Sequence, residues 1–202
     1  MTNLIWDLDG TLLDSYAVFM ESLDEVFSKH HLDFDEASVF TFIKQHSVNE
    51  FLKCQPISFA VLKPEFSLIS KSKNSEIELM QGCNELLNWE KNNNIRNFIY
   101  THKGNNTFDL LKQLGILDYF EEVVTSDFGF PRKPSPEAID YLIEKHQLNV
   151  KETYYVGDRL LDIRVAENSG IQSINFLEDD KSIKMNQLTD IIDYFENQRR
   201  NK

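Results

Sequence analysis

The sequence is poor in cysteine, glycine, proline and positive charge, and each scarcity narrows what the chain can be. Two cysteines in 202 residues, Cys54 and Cys83, form neither a CxxC motif nor a disulfide framework. A reducing cytoplasm suits them, and they read as small core residues rather than ligands. Lysine and arginine number 21 against 33 acids, a formal net charge of -12, which argues against nucleic acid or an anionic membrane as partner. No basic stretch followed by an apolar run opens the chain, so no secretory leader is expected. No apolar run approaches membrane-spanning length. Repeats and low-complexity tracts are lacking, and the triplet Asn105-Asn106-Thr107, a glycosylation pattern in secreted chains, carries no meaning in a cytoplasmic one. What is present is 41% hydrophobic residues, enough for a buried core and for one or two domains.

The most informative stretch is Leu4-Ile5-Trp6-Asp7-Leu8-Asp9-Gly10-Thr11-Leu12-Leu13-Asp14-Ser15. Three apolar residues run into two carboxylates and a glycine, the pattern of a buried strand ending in a tight turn. Residues two apart on a strand share a face, so unless the turn intervenes Asp7 and Asp9 sit side by side. Two such carboxylates need a metal or a lysine between them, or one keeps its proton. The plain alternative is an Asp-Gly hairpin turn, but no alternating strand follows Gly10; Asp14 and Ser15 open a helical pattern instead. A calcium loop of the EF-hand type fails on spacing, with glycine fourth rather than sixth and no glutamate at the twelfth position.

From about Ser15 to Met80 the pattern is helical. Tyr16, Phe19, Met20, Leu23, Val26 and Phe27 recur at helical spacing, Val39, Phe42 and Ile43 form a second group, and Ser47 caps a third helix holding Phe51 and Leu52. Phe59, Leu62 and Phe66 continue the series. Eight of the 15 phenylalanines lie here, as expected of a small helical unit that needs large side chains to bury enough area. Its Lys44, His46, Lys53 and Lys63 read as solvated surface. The polar run Ser70 to Glu76 reads as a linker, followed by a helix holding Leu79, Cys83, Leu86 and Leu87. Strand and helix then alternate: strands at 97–100, 123–125, 154–156 and 173–176; helices around Leu110 to Leu114 (closed by Gly115), from Ser135 as cap with Pro136 at the first position, from Leu160 to Asn168, and around Leu188 to Phe195.

Such alternation predicts a mostly parallel sheet covered on both faces, whose ligands bind beyond the carboxyl ends of the strands. The residues just past each strand are then informative: Asp7 and Asp9, Thr101, Lys133, and Asp158 with Asp162. Four carboxylates, a hydroxyl and a lysine on one rim suit a hard cation and a phosphoryl group. Asp158 and Asp162, four apart, share a helix face; a helix cap plus a first-turn acid would look the same. Thr101 at a strand-to-helix junction suits a phosphate cradle or a plain strand end. Lys133, in Pro131-Arg132-Lys133-Pro134-Ser135-Pro136, reads alone as a loop lysine.

Together, Asp-Leu-Asp-Gly-Thr at 7–11, Thr101 after its strand, Lys133 before Pro134, and Gly157-Asp158 with Asp162 resemble, in order, the four motifs of the haloacid dehalogenase-like hydrolases. The segment Leu114 to Phe120 resembles the phosphoglycolate phosphatase-like branch, in which a helical cap is inserted between the first two motifs. The resemblance implies an α/β, Rossmann-like parallel sheet with helices on both faces, formed by residues 1–13 and 81–202, and a small helical cap at 14–80. It implies a magnesium-dependent phosphatase acting on a small phosphorylated metabolite. Asp7 would be the nucleophile that becomes an aspartyl-phosphate, and Asp9 the general acid and base. Leu8, Gly10, Thr101, His102 and Lys133 would bind phosphate, Lys133 also steadying Asp7. Asp7, Asp9 through its backbone carbonyl, Asp158 and Asp162 would hold Mg2+. Dehalogenases of the family lack an acid at the place of Asp9, so phosphate chemistry is expected. Relatives often carry asparagine where this chain has His102. A phosphosugar mutase of the same family and, from another class, a phospho-accepting regulator are the alternatives. A cytoplasmic monomer or homodimer, with no nucleic acid or membrane partner, completes the expectation.

Overall fold

A computed structural model describes residues 1–200. In chain order the elements are β1 (Asn3–Trp6), β2 (Leu13–Asp14), α1 (Tyr16–Lys29), α2 (Glu36–Gln45), α3 (Val48–Lys53), α4 (Phe59–Ser72), β3 (Glu78–Leu79), α5 (Cys83–Asn92), β4 (Arg96–Tyr100), α6 (Asn106–Gln113), β5 (Glu122–Val124), α7 (Glu137–His146), β6 (Thr153–Gly157), α8 (Leu160–Asn168), β7 (Gln172–Asn175), β8 (Ile183–Lys184) and α9 (Asp190–Arg200). They divide into two compact units: Met1–Leu13 with the chain from Leu79 onward, and Asp14–Glu78.

The first unit is built on a six-stranded sheet in the order β5-β4-β1-β6-β7-β8, with every pairing parallel. Strands buried on both faces need apolar residues at nearly every position, which is why Leu4-Ile5-Trp6 and Phe98-Ile99-Tyr100 read as unbroken runs. Register sorts them by face: Ile5 lies opposite Phe98 and Tyr155, and Trp6 opposite Ile99 and Val156. Ile5, Phe98, Tyr100 and Tyr155 pack with Ala138, Ile139 and Leu142 of α7 and Val165 and Ala166 of α8. On the other face Trp6 Nε1 donates to Asn97 Oδ1, and Asn97 Nδ2 donates to the buried Glu90 of α5, while Tyr154 meets Phe195 of α9 edge-on at 5.2 Å. This is an α/β, Rossmann-like sheet with helices on both faces. The chain runs from β1 to β4 on one side and later crosses to β6 on the other, so β1 lies at a topological switch point.

The second unit is a helical bundle of α1 to α4 around Leu23, Phe27, Leu52, Leu62 and Phe66. Phe27 stacks on Phe51 at 5.4 Å and meets Phe34 edge-on at 5.6 Å. Ser47 Oγ accepts from Glu50 N at 3.0 Å, and Asp35 Oδ1 from Ser38 N at 2.8 Å, so each caps its helix.

Four local expectations are corrected. Leu79 belongs to β3, and α5 begins only at Cys83, after Gly82 at φ +82°. Leu79 and Met80 fall in the first unit, Met80 N donating to Leu12 O at 2.9 Å. The polar run at 70–76 is no free linker, because α4 continues to Ser72 and a 3₁₀ turn covers Asn74–Glu76. Pro136, not Ser135, is the cap of α7: Ile139 N and Asp140 N both donate to Pro136 O. The short pair β2–β3 and strand β8 went unread, since two residues leave no periodicity.

Candidate functional site

Asp7 continues β1 by one residue, its N–H donating to Val156 O at 2.8 Å. It therefore stays on the face shared by Ile5, Tyr100 and Tyr155. Lys133 reaches the same spot from the loop between β5 and α7. Its Nζ lies 2.5 Å from Asp7 Oδ1 and 2.8 Å from Asp162 Oδ1, with the lysine side chain fully buried. The ring centroids of Tyr155 and Tyr100 lie 4.9 and 5.3 Å from the same ammonium, so aromatic faces complete its shell. Burial alone would lower the Lys133 pKa, but the Asp162 and Asp7 carboxylates outweigh it and hold the ammonium above its ordinary value.

The acids come from both sides of the switch point. Asp158 follows β6 in the turn, and Asp162 lies in the first turn of α8, its Oδ2 accepting from Arg159 N at 3.0 Å. Asp162 is thus both a cap for its helix and a partner of Lys133, two roles that one carboxylate's two oxygens allow. Gly157 makes the approach possible: a Cβ there would fall 2.4 Å from Asp162 Cγ. Asn175 of β7 steadies the same turn, Nδ2 donating to Arg159 O at 3.2 Å.

Asp7, Asp158 and Asp162 each offer an oxygen, all within 4.8 Å of one another, and are 3%, 3% and 0% exposed. Asp7 Oδ2 is buried without a hydrogen-bond donor. Three carboxylates around one ammonium leave excess negative charge. Burial first, then Asp162 and Asp158, push the Asp7 pKa up to about 7 against the opposing pull of Lys133 and Arg159. An oxygen-only donor set with an orphaned acceptor and surplus negative charge fits a hard divalent cation such as magnesium.

Asp9 lies beyond β1, which ends at Trp6. Gly10, at φ +79°, turns the chain, and Asp9 forms an isolated bridge with Leu13. Its Oδ1 lies 3.0 Å from Lys103 Nζ. The two acids of the first motif thus each have a lysine of their own. Gly10 N donates to Leu13 O at 2.8 Å, so that N–H is engaged within the turn, and the positive φ gives the glycine a conformational role there. Leu8 is fully buried, its carbonyl accepting from Thr11, Leu12 and Leu13. Thr101 follows β4 and its Oγ1 accepts from Lys103 N at 3.2 Å, the hydroxyl proton remaining for another acceptor. His102 Nε2 accepts from Lys133 N at 2.9 Å.

Lys103, Tyr100, Tyr155 and Asn175 were not foreseen. The signal for the tyrosines was present, since period two from Ile5 to Asp7 extends to the neighbouring strands. For Lys103 there was none, because its pairing depends on the turn at Gly10.

Three carboxylates and a buried lysine gathered at the carboxyl ends of a parallel sheet, at its switch point, define an α/β protein with an acidic site whose donors suit a cation. A family model described as haloacid dehalogenase-like hydrolase matches residues 4–176, and the chain belongs to that family. It is 45% identical over 65 residues to a phosphoglycolate phosphatase of Vibrio vulnificus, a match covering 32% of this chain and 28% of that protein's length. To a phosphoglycolate phosphatase of Photobacterium profundum it is 31% identical over 180 residues, covering 81% and 78% of the two chains. Among solved structures it resembles a hydrolase from Streptococcus pneumoniae, with a TM-score of 0.69, 28% identity and coverage of 95% and 97%. No helix among the described residues is long and apolar enough to cross a membrane.

Proposed function

We propose that this chain is a magnesium-dependent phosphatase that hydrolyses a small phosphorylated metabolite through an aspartyl-phosphate on Asp7. The observation that carries the reading is the buried Lys133 ammonium bonded to Asp7 and Asp162, with Asp158 within ligand distance of both acids. Family membership and relatives named phosphoglycolate phosphatase support it.

Asp7, the Asp9 backbone carbonyl and Asp158 would hold the ion, with Asp162 direct or through water. When bound, magnesium offsets the repulsion between an anionic nucleophile and an anionic substrate. An Asp7 carboxylate oxygen attacks phosphorus; the ester P–O bond breaks, and Asp9 gives its proton to the leaving oxygen. Asp9, now ionised, takes a proton from water, whose oxygen attacks phosphorus; the bond between phosphorus and the Asp7 oxygen breaks, leaving Asp7 as carboxylate and releasing inorganic phosphate. Lys133 steadies the Asp7 charge, and the Thr101 hydroxyl with the His102 backbone N–H holds transferring oxygens. The unit Asp14–Glu78 is read as the cap that selects substrate and excludes bulk water.

The test is hydrolysis of a generic aryl phosphate by the purified chain, with magnesium and after its removal by chelation. Phosphate release that falls at least about 100-fold on chelation and returns with added magnesium is expected. Release that is indifferent to chelation contradicts the reading.

A further inference from the structure

We infer that the His102 side chain is a positioning residue for Lys133, acting with Tyr100 as a two-point tether between the end of β4 and the loop that carries the lysine. The inference rests on the phosphatase reading for its kinetic consequence, but not for its structural one.

Lys133 is the farthest-travelled member of the site. It sits in an irregular loop between the 3₁₀ turn at Ser126–Phe128 and α7, and such a loop has no ladder to fix it. Its ammonium must nonetheless meet two carboxylates on two different elements. Two hydrogen bonds, one from Tyr100 at the end of β4 and one to His102 two residues beyond it, hold the loop. Tyr100 OH donates to Pro131 O at 3.1 Å, and His102 Nε2 accepts from Lys133 N at 2.9 Å. A backbone N–H only donates, so His102 Nε2 carries no proton and its proton resides on Nδ1. The environment enforces that neutral form: burial first, then the cations Lys133, Arg132 and Arg159, drive the His102 pKa down to about 2. The ring also meets Tyr100 edge-on at 5.8 Å, and Tyr100 is itself pinned, its carbonyl accepting from Tyr155 OH at 3.0 Å. The Tyr155 and Tyr100 rings that flank the Lys133 ammonium thus belong to the same assembly that holds the Lys133 backbone. Main chain and side chain of one residue are fixed by one aromatic group at the carboxyl end of the sheet.

The test pairs amide hydrogen exchange in the full chain with aryl phosphate kinetics. In the unaltered protein the Lys133 amide is expected to be protected and the His102 ring to show the Nδ1–H tautomer by nitrogen NMR. His102→Leu, which keeps bulk and removes the acceptor, is expected to speed Lys133 exchange at least about 10-fold and to lower kcat by roughly 10- to 100-fold with KM moved less than about 3-fold. His102→Gln, which offers a carbonyl oxygen at similar reach, is expected to restore both. Should His102→Leu fail to fold, Tyr100→Phe removes only the hydroxyl and is expected to move both readouts the same way, by roughly 3- to 10-fold. Unchanged Lys133 exchange in the folded variant overturns the inference; so does faster exchange with kcat intact, or a change confined to KM, which would make His102 a substrate contact. An inactive unaltered protein would instead sink the phosphatase reading, and amide exchange with the tautomer would then decide the tether alone.

Discussion

At the scale of single residues, the site is a balance of burial against charge, and it predicts a distinctive response to pH. Asp7 has a folded pKa of about 7 against an ordinary 3.8, and the buried Glu90 is also held well above its ordinary value by desolvation. For a raised acid, the stabilising contribution is complete below the unfolded pKa and lost as pH rises through the folded one. The metal-free protein is therefore expected to lose stability between about pH 4 and pH 7, with Asp7 contributing on the order of a few kcal/mol. Carboxyls held low, such as Glu65 by Lys29 and His30 or Glu121 by Arg96, act the other way, their contribution fading as pH falls below the ordinary range. Thermal melts without magnesium should thus give a lower Tm at pH 8 than at pH 5, and Asp7→Asn or Glu90→Gln should each flatten the trend. A Tm that rises from pH 5 to pH 8 in the metal-free protein would contradict it. Gly157→Ala probes a different constraint: its Cβ occupies the place of Asp162, so Asp162 must leave Lys133. Activity should fall on the order of 100-fold with the fold retained by circular dichroism; near-normal activity would show that Asp162 need not sit there.

At the scale of elements, legibility depends on what periodicity records. The longer strands of the sheet were readable because a parallel strand covered on both faces is largely apolar, and α1 to α4 because each turns a stripe of large side chains inward. Pairs as short as β2–β3 and β8 leave no such trace. The rim residues were readable from their places just past the strand ends: the structure gathers Asp7, Asp158, Asp162 and Lys133, and Thr101 follows the end of β4. The pairing of Asp9 with Lys103 was not readable, because it depends on how the chain turns after β1. The commitment of the Gly10 N–H to Leu13 O was hidden for the same reason: it is a property of the turn, not of the residue. In the helical unit, Phe27 is fully buried between Phe34 and Phe51. Phe27→Ala should cost about 3–5 kcal/mol, seen as a lowered denaturant midpoint. A loss below about 1 kcal/mol would mean that the bundle closes over the gap.

At the scale of the whole molecule, two units differ in sequence as well as in structure. The catalytic candidates all lie in the sheet unit, drawn from positions 7 to 162, whereas Asp14–Glu78 is a phenylalanine-rich bundle with its own core. The cluster of Asp7, Asp158 and Asp162 lies at the switch point of a chain of formal net charge -12, so on the proposed reading a bound cation would be the condition for approach of an anionic substrate. The central claim is that Asp7 itself receives the phosphoryl group. It is tested most directly by rapid quench of the purified chain mixed with magnesium and an aryl phosphate, followed by peptide mass analysis. The account predicts one phosphoryl group on the peptide containing Asp7 and none in Asp7→Asn, which should also be inactive. Turnover with that peptide unmodified, or undiminished in Asp7→Asn, would contradict it.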